Sequence, residues 1–366
     1  MKTIKNLICP VFALFALARL LRIAFISVGV LFAITRVLAV ETDDGVLSFN
    51  APSVQPHSTF ISFDPPGSTS TFPSAITPSG VIIGSYFDAS GVTHGFLRTR
   101  DGVFTTFDVP SSTSTTATSI TPGGVMTGWY FDAVGTAHGF IRDRGGSITS
   151  FDAPPGSSIL GSIYNNPSGP PPSINPSGAI AGTYVDPSFV EHGFLRTADG
   201  TFTTVDFPGA FFTEVLAINP AGEIVGDFCN AIICFQGFLR TPDGTFTIIN
   251  ADAGIPSAVN PAGAITGTVL TGSAGYLQSP NGTFTVFNAP GSTFTVPIAI
   301  NPSGAITGSY FSDTLHGFVR APDGTIATFD PPGSTFTLAA AINPSGDIAG
   351  TFIDVSGVVH GFLRTP

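Results

Sequence analysis

Lysine is absent after Lys5, and charge of any kind is scarce, at 10% of 366 residues. Beyond residue 39 the cations are eight arginines: Arg98, Arg100, Arg142, Arg144, Arg196, Arg240, Arg320 and Arg364. The formal net charge is −11, and removing residues 1–39 takes away five basic and no acidic groups, leaving −16. A chain this acidic offers no footprint for a phosphate backbone, which excludes nucleic acid as a partner. Tryptophan occurs once and tyrosine six times against 34 phenylalanines. Phenylalanine fills interfaces without needing a hydrogen-bond partner, so this imbalance points to packing. Of the three cysteines, Cys9 comes too early, in the wrong context, for lipid attachment. Helical apolar spacing is missing, which removes TPR and HEAT arrays.

What is present is a repeat. The turn Ile/Val-Asn/Thr-Pro-x-Gly starts at Ile76, Ile120, Ile174, Ile218, Val259, Ile300 and Ile342, in steps of 44, 54, 44, 41, 41 and 42 residues. The second marker, His-Gly-Phe-Leu/Ile/Val-Arg, falls at His94, His138, His192, His316 and His360. It changes to Gln236-Gly237-Phe238 in unit four and Ala274-Gly275-Tyr276 in unit five. The third is an alternating strand ending in Asp or Asn, such as Phe104 to Asp108. Four strand signals in about forty residues are the signature of a β-propeller blade. The chain stops before unit seven has its third marker, and an orphan copy, Phe60 to Asp64, precedes unit one. The expected fold is all-β: a seven-bladed β-propeller of four-stranded blades, closed by the N-terminal strand (59–64) completing the last blade.

Residues 1–39 read as a signal peptide or an uncleaved membrane anchor. They are basic and free of acidic residues, and the apolar run Ile23 to Ile34 has the length of a signal core. Residues 40–58 read as a flexible lead-in, and 59–366 as the propeller. The location expected is outside the cytoplasm: extracellular, periplasmic or at the cell surface.

Asn-Pro-Ser-Gly and Pro-Asp-Gly place Pro where φ near −65° is wanted and Gly where φ must be positive, as in tight hairpins. Both turns fall on one face of the ring, leaving longer connections, of which Pro154 to Ser173 is the longest, for the other. Propeller ligands dock on such a loop face by analogy alone.

Pairing the third and fourth strands with Arg98 opposite Phe104 sets Gly95 opposite Phe107 and His94 opposite Asp108. The same register gives His138 with Asp152, His192 with Asp206, and His316 with Asp330; His360 would take Asp64 from the orphan strand. Where the His is lost, the Asp is lost too: Gln236 meets Asn250, and Ala274 meets Asn288. This correlation predicts a His–Asp contact across the hairpin. A structural lock competes there with a ligand-contacting ring of imidazoles and carboxylates. Asp88, Asp132, Asp186 and Asp354 end the second strands, six residues before the local His. They lack the close spacing of a calcium loop, so neither metal nor cofactor is expected. Tyr86, Tyr130, Tyr184 and Tyr310, with Trp129, are either buried edge aromatics or a carbohydrate-stacking platform. Cys229 and Cys234 occupy one loop of unit four and read as a local disulfide in an exported protein.

The order A-I-N-P-x-G-x-I-x-G-x-Y-x-D, then H-G-F-L-R, resembles the bacterial extracellular HAF-repeat family, named for a His-Ala-Phe core; here the middle residue is Gly. The resemblance covers roughly residues 59–366. It implies export and a propeller-like array, and no activity. The function expected is non-catalytic binding or scaffolding, with a polysaccharide or a surface protein as partner. The alternatives are a glycan-active hydrolase or lyase using Asp88, Asp132 and Asp186, and a purely structural surface module.

Overall fold

The computed structural model describes residues 58–159, 171–250, 252–269 and 273–366. The segment expected to be a leader or anchor (1–39) and all but the last residue of the expected lead-in (40–58) lie outside the described residues, as does the middle of the Pro154 to Ser173 linker. Among the described residues the chain is all strand and turn, without a helix.

Each unit folds as an antiparallel sheet with its strands in chain order. In unit six, Phe294–Ile300, Ile306–Phe311, Leu315–Arg320 and Ile326–Phe329 lie side by side. Units two, four and five have the same four-stranded order. In unit three the first strand is split into Ser158–Ile159 and Ser173–Ile174, both pairing with Ile180–Val185. Units one and seven share an eight-stranded sheet, joined where Ser70 meets Val359. Strand Thr59–Phe63 pairs antiparallel with Val359–Thr365, placing Phe60 opposite Arg364 and Phe63 opposite Gly361.

Each residue of the His-Gly-Phe-x-Arg strand has a separate physical task. In units one, two, five, six and seven the glycine sits under a phenylalanine ring of the adjoining strand, and in units three and four against Val205 and Ile249: a Cβ on Gly95 would lie 2.6 Å from Phe107 Cζ. That close approach requires glycine. The phenylalanines Phe96, Phe140, Phe194, Phe238, Phe318 and Phe362 are fully buried. Except in unit four, where Arg240 lies over Phe246 of its own unit, the arginine reaches a phenylalanine of the strand before its unit. Arg98 lies 4.9 Å from the Phe63 ring, Arg142 4.9 Å from Phe107, and Arg364 5.1 Å from Phe329. Desolvated cation–π contacts of this kind contribute roughly 1–2 kcal/mol each.

The Asn-Pro-x-Gly turns also link neighbouring units. Asn260 Oδ1 accepts the N–H groups of Ala262 and Ala264, which closes its own turn, and Gly263 holds φ 82. Asn260 Nδ2 then donates 3.2 Å to Asn301 O in the next unit. The same step runs from Asn175 to Asn219 O, Asn219 to Asn260 O, Asn301 to Asn343 O, and Asn343 to Thr77 O of unit one. Units one and two carry Thr77 and Thr121 instead, which cap their turns through Oγ1. There Ser74 Oγ donates to Ala117 O and Thr118 Oγ1 to Pro172 O.

Among the described residues, three positions take a positive φ without glycine: Ser111, Phe189 and Phe235. Gly91, Gly135 and Gly357 close the loops between second and third strands with φ of 77, 86 and 82. Unit three has Phe189 there, at φ 64. The left-handed conformation is about 1–2 kcal/mol less favourable for such a residue than for glycine.

Candidate functional site: imidazoles bracketed by aspartates

The loop end of the third strands carries a group that recurs in units one, two, three, six and seven. His94 Nδ1 lies 2.9 Å from Asp108 Oδ2, and its Nε2 lies 3.5 Å from Asp88 Oδ2. His138 stands between Asp152 (2.5 Å) and Asp132 (3.3 Å). His192 stands between Asp206 (2.9 Å) and Asp186 (3.7 Å). His360 takes Asp64 from the strand that begins the described chain (2.6 Å), and Asp354 at 3.5 Å. In units one, two and three the local hairpin brings the His beside one Asp, in unit seven the Thr59–Phe63 strand does so, and in all four the end of the second strand brings the other.

Unit six contains an aspartate that the spacing rule misses. His316 Nδ1 meets Asp330 at 2.8 Å, while its Nε2 meets Asp313 at 3.2 Å. The loop here is shorter, so the bracketing carboxylate stands three residues before the His rather than six. The signal was in the sequence: Ser312-Asp313-Thr314 retains an Asp where the six-residue position has become Tyr310.

These carboxylates have further duties. Asp88 Oδ1 accepts the N–H groups of Ser90 and Val92, each at 2.8 Å. Asp132, Asp186 and Asp354 cap their loops in the same way. Asp64 and Asp330 use their other oxygen to accept from Thr71 and Thr337, buried on the next inner strand. Tyr86, Tyr184 and Tyr310 are buried, and their rings lie 5.2 Å from the imidazoles of His94, His192 and His316. Tyr130 does the same to His138 at 5.1 Å, while Trp129 is half-buried with its ring edge to Phe131.

The electrostatics follow from the geometry. The Val92 N–H holds the Asp88 carboxyl below its usual value, with His94 assisting. Thr136, Val190 and Val358 do so for Asp132, Asp186 and Asp354. The Ser312 hydroxyl and then His316 lower Asp313 to about 2. For His94 and His138 desolvation pulls the imidazole pKa down, but the paired aspartates outweigh it and the net shift is upward. For His316 the hydrogen bond it donates to Asp330 is the largest influence, and it raises the value.

A pH dependence of stability follows. The raised imidazoles contribute stability that is fully present below their unfolded value of 6.5 and lost as pH rises through the folded values. The lowered carboxylates contribute stability present above 3.8 and lost as pH falls through their folded values. The melting temperature is therefore expected to peak between those two values and to fall on both sides. Replacing His94, His138 and His316 with Gln should flatten the alkaline limb. An unchanged limb in that variant would mean that the brackets do not set it.

Unit four replaces the bracket. Gln236, buried, donates to the main-chain oxygens of Asn250 (3.1 Å) and Ala253 (2.9 Å), and Asn250 Oδ1 accepts from Asp252 N. Its loop is closed by the Cys229–Cys234 disulfide. Inside the same unit Glu214 and Asp227 stand opposite each other on adjacent strands, both buried. Among the described residues no set of three or more His, Cys, Asp or Glu is arranged to hold a metal ion.

No family model matches the sequence, and no curated protein is similar enough to count as a relative. Solved structures do resemble the fold. A catalytically inactive virginiamycin B lyase from Staphylococcus aureus, with quinupristin, superposes with a TM-score of 0.57 at 15% identity, over 85% of this chain and 100% of that one. Puromycin hydrolase gives 0.54 at 15% identity, over 80% of this chain and 53% of its own. A structure from a study of two prolyl endopeptidases gives 0.55 at 12%, over 82% and 51%. The class these likenesses define, together with the stacked four-stranded sheets, is the β-propeller. At such identities the likeness extends to fold alone.

Proposed function

We propose that the seven units close into one seven-bladed ring that is exported and acts as a non-catalytic binding or scaffolding module. Closure is supported by the pairing of Thr59–Phe63 with Val359–Thr365, and by the amide of Asn343 on Thr77 O. Export is supported by the disulfide, which persists in oxidising compartments, and by the resemblance of the repeat to HAF proteins. A polysaccharide or a surface protein is the partner class.

One observation carries the non-catalytic reading: the polar site is copied five times, and its carboxylates are spent. In four of the five brackets one Asp caps a loop, in all five both flank an imidazole, and the resolved carboxyl shifts run downward. A glycan hydrolase needs a carboxylic acid held protonated, the opposite shift. The asymmetric carboxylates Glu214 and Asp227 are buried, away from the loop-face brackets.

The test is turnover of an extracellular glycan library by the full chain and by Asp88→Asn, Asp132→Asn and Asp186→Asn variants. No product from any of them is expected. Product release by the native chain, abolished in one variant, would establish the hydrolase or lyase instead.

A further inference from the structure

The loop face is uneven in a second respect. Between units three and four, three loop positions that are mostly Gly, Thr and Ser elsewhere carry large apolar side chains; the Ser position is also apolar in unit two, as Val134. Phe189 stands where Gly91, Gly135 and Gly357 stand, and is 71% exposed. Phe211 stands where Thr69, Thr113, Thr293 and Thr335 donate their hydroxyls to carbonyls of the second strand. Its backbone makes the repeat's bond, N–H to Cys229 O at 2.7 Å, but its ring is 55% exposed. Ile232 stands where Ser90, Ser188 and Ser356 stand, and is 94% exposed at the tip of the disulfide loop. The fold needs none of the three, since the other units manage without them. Large exposed apolar side chains gathered on neighbouring loops mark an interaction surface.

The charge around them states what fits. The five brackets put ten aspartates on this face against five imidazoles. The arginines among the described residues sit at the opposite end of the strands. Arg98, Arg142, Arg196, Arg240, Arg320 and Arg364 pair with the residues that begin the second strands, next to the tight turns. Arg100 and Arg144 lie against Gly80 and Gly124 of those same turns. The loop face is thus acidic, with its most exposed phenylalanines on the loops of units three and four and single exposed valines, Val134 and Val355, on those of units two and seven; imidazole is its sole cationic group among the described residues.

We propose that the loop face at units three and four docks a polypeptide segment carrying alternating basic and apolar side chains. The apolar side chains would rest on Phe189, Phe211 and Ile232, and the basic ones would meet Asp186, Asp206 and their neighbours. Opposite charge steers the encounter, and apolar contact at the centre sets the lifetime of the complex. This rests on the binding-module reading above and names its partner class.

The probe is a short fluorescent Lys/Leu peptide, titrated onto the full chain at low and at physiological salt. The variant restores the repeat's own residues: Phe189→Gly, Phe211→Thr and Ile232→Ser together. Because each replacement is what other units already use, the variant is expected to fold with a melting temperature no lower than native. The expected result is saturable binding to the native chain that weakens with salt, and a loss of about tenfold or more in the variant. Unchanged affinity in the variant overturns the proposal. So does equal binding of a Glu/Leu peptide, which removes the role of charge, or of a Lys/Ser peptide, which removes the role of the apolar patch. A polysaccharide whose binding is lost in the variant while the Lys/Leu peptide does not bind gives the surface to a glycan. A native dimer that dissociates in the variant gives it to a second copy. Either result overturns the peptide assignment and leaves the binding-module reading standing, whereas glycan turnover overturns that reading without touching peptide docking.

Discussion

Deletion of residues 58–64 is expected to destroy cooperative unfolding and leave an aggregation-prone chain. The deleted strand is the hydrogen-bonded neighbour of Val359–Thr365 from Gly361 to Thr365. Without it that strand becomes an open edge, a template for pairing with another chain. Two hydrophobic clusters lose a phenylalanine. Phe63, buried, packs on Phe96 and Phe104 of unit one at 6.4 and 6.1 Å and carries the Arg98 guanidinium. Phe60 lies 6.2 Å from Phe329 and 6.3 Å from Phe362. Truncating one buried Phe costs about 3–5 kcal/mol, against a typical total of about 5–15 kcal/mol for a domain. Phe63→Ala alone should therefore lower the urea midpoint sharply but leave a two-state transition, while the deletion should abolish it. Light scattering and a urea titration read both. A deleted chain with the native midpoint would show that the pairing contributes nothing, and the proposed ring closure would lose that support.

Asn260→Asp is expected to destabilise the chain by about 2–4 kcal/mol at neutral pH, from a change of one atom. The carboxylate can still accept from Ala262 and Ala264, so the turn survives. It can no longer donate to Asn301 O, and it sets a buried negative oxygen against a carbonyl oxygen. Loss of one partner of a buried bond costs about 1–3 kcal/mol, more with charge. Burial raises the carboxyl pKa above its unfolded value. Protonation restores the missing donor, so the deficit should shrink as the pH is lowered. Asn260→Thr supplies the control, because Thr77 and Thr121 already cap turns in units one and two. It should cost less than Asn260→Asp and show no such recovery in acid. Equal midpoints for Asn260→Asp and native chain would mean that the amide bonds between units carry no stability.

The hairpin register was legible from the chain because a glycine beneath a phenylalanine leaves little freedom: Gly95 faces Phe107, and one residue of slip would place a side chain in the ring's space. Asp313 was hidden by a shortened loop, which changed its spacing without changing its task. The asparagines were legible as turn residues only, since the carbonyl each amide reaches lies 41 to 44 residues further on in units three to six. Phe189 reads in sequence as one more apolar residue. Its positive φ and exposure become visible only when the loop is built.

What the sequence determined alone was everything with short range: the strands, the turns, the hairpin register and the charge imbalance, each fixed by φ preference, alternation or composition. Only tertiary structure decided which residues meet across units, because stacking sheets converts equal spacing along the chain into contact in space. It also decided which carboxylates are already engaged and which apolar side chains are left for a partner, since both depend on what the neighbouring unit covers.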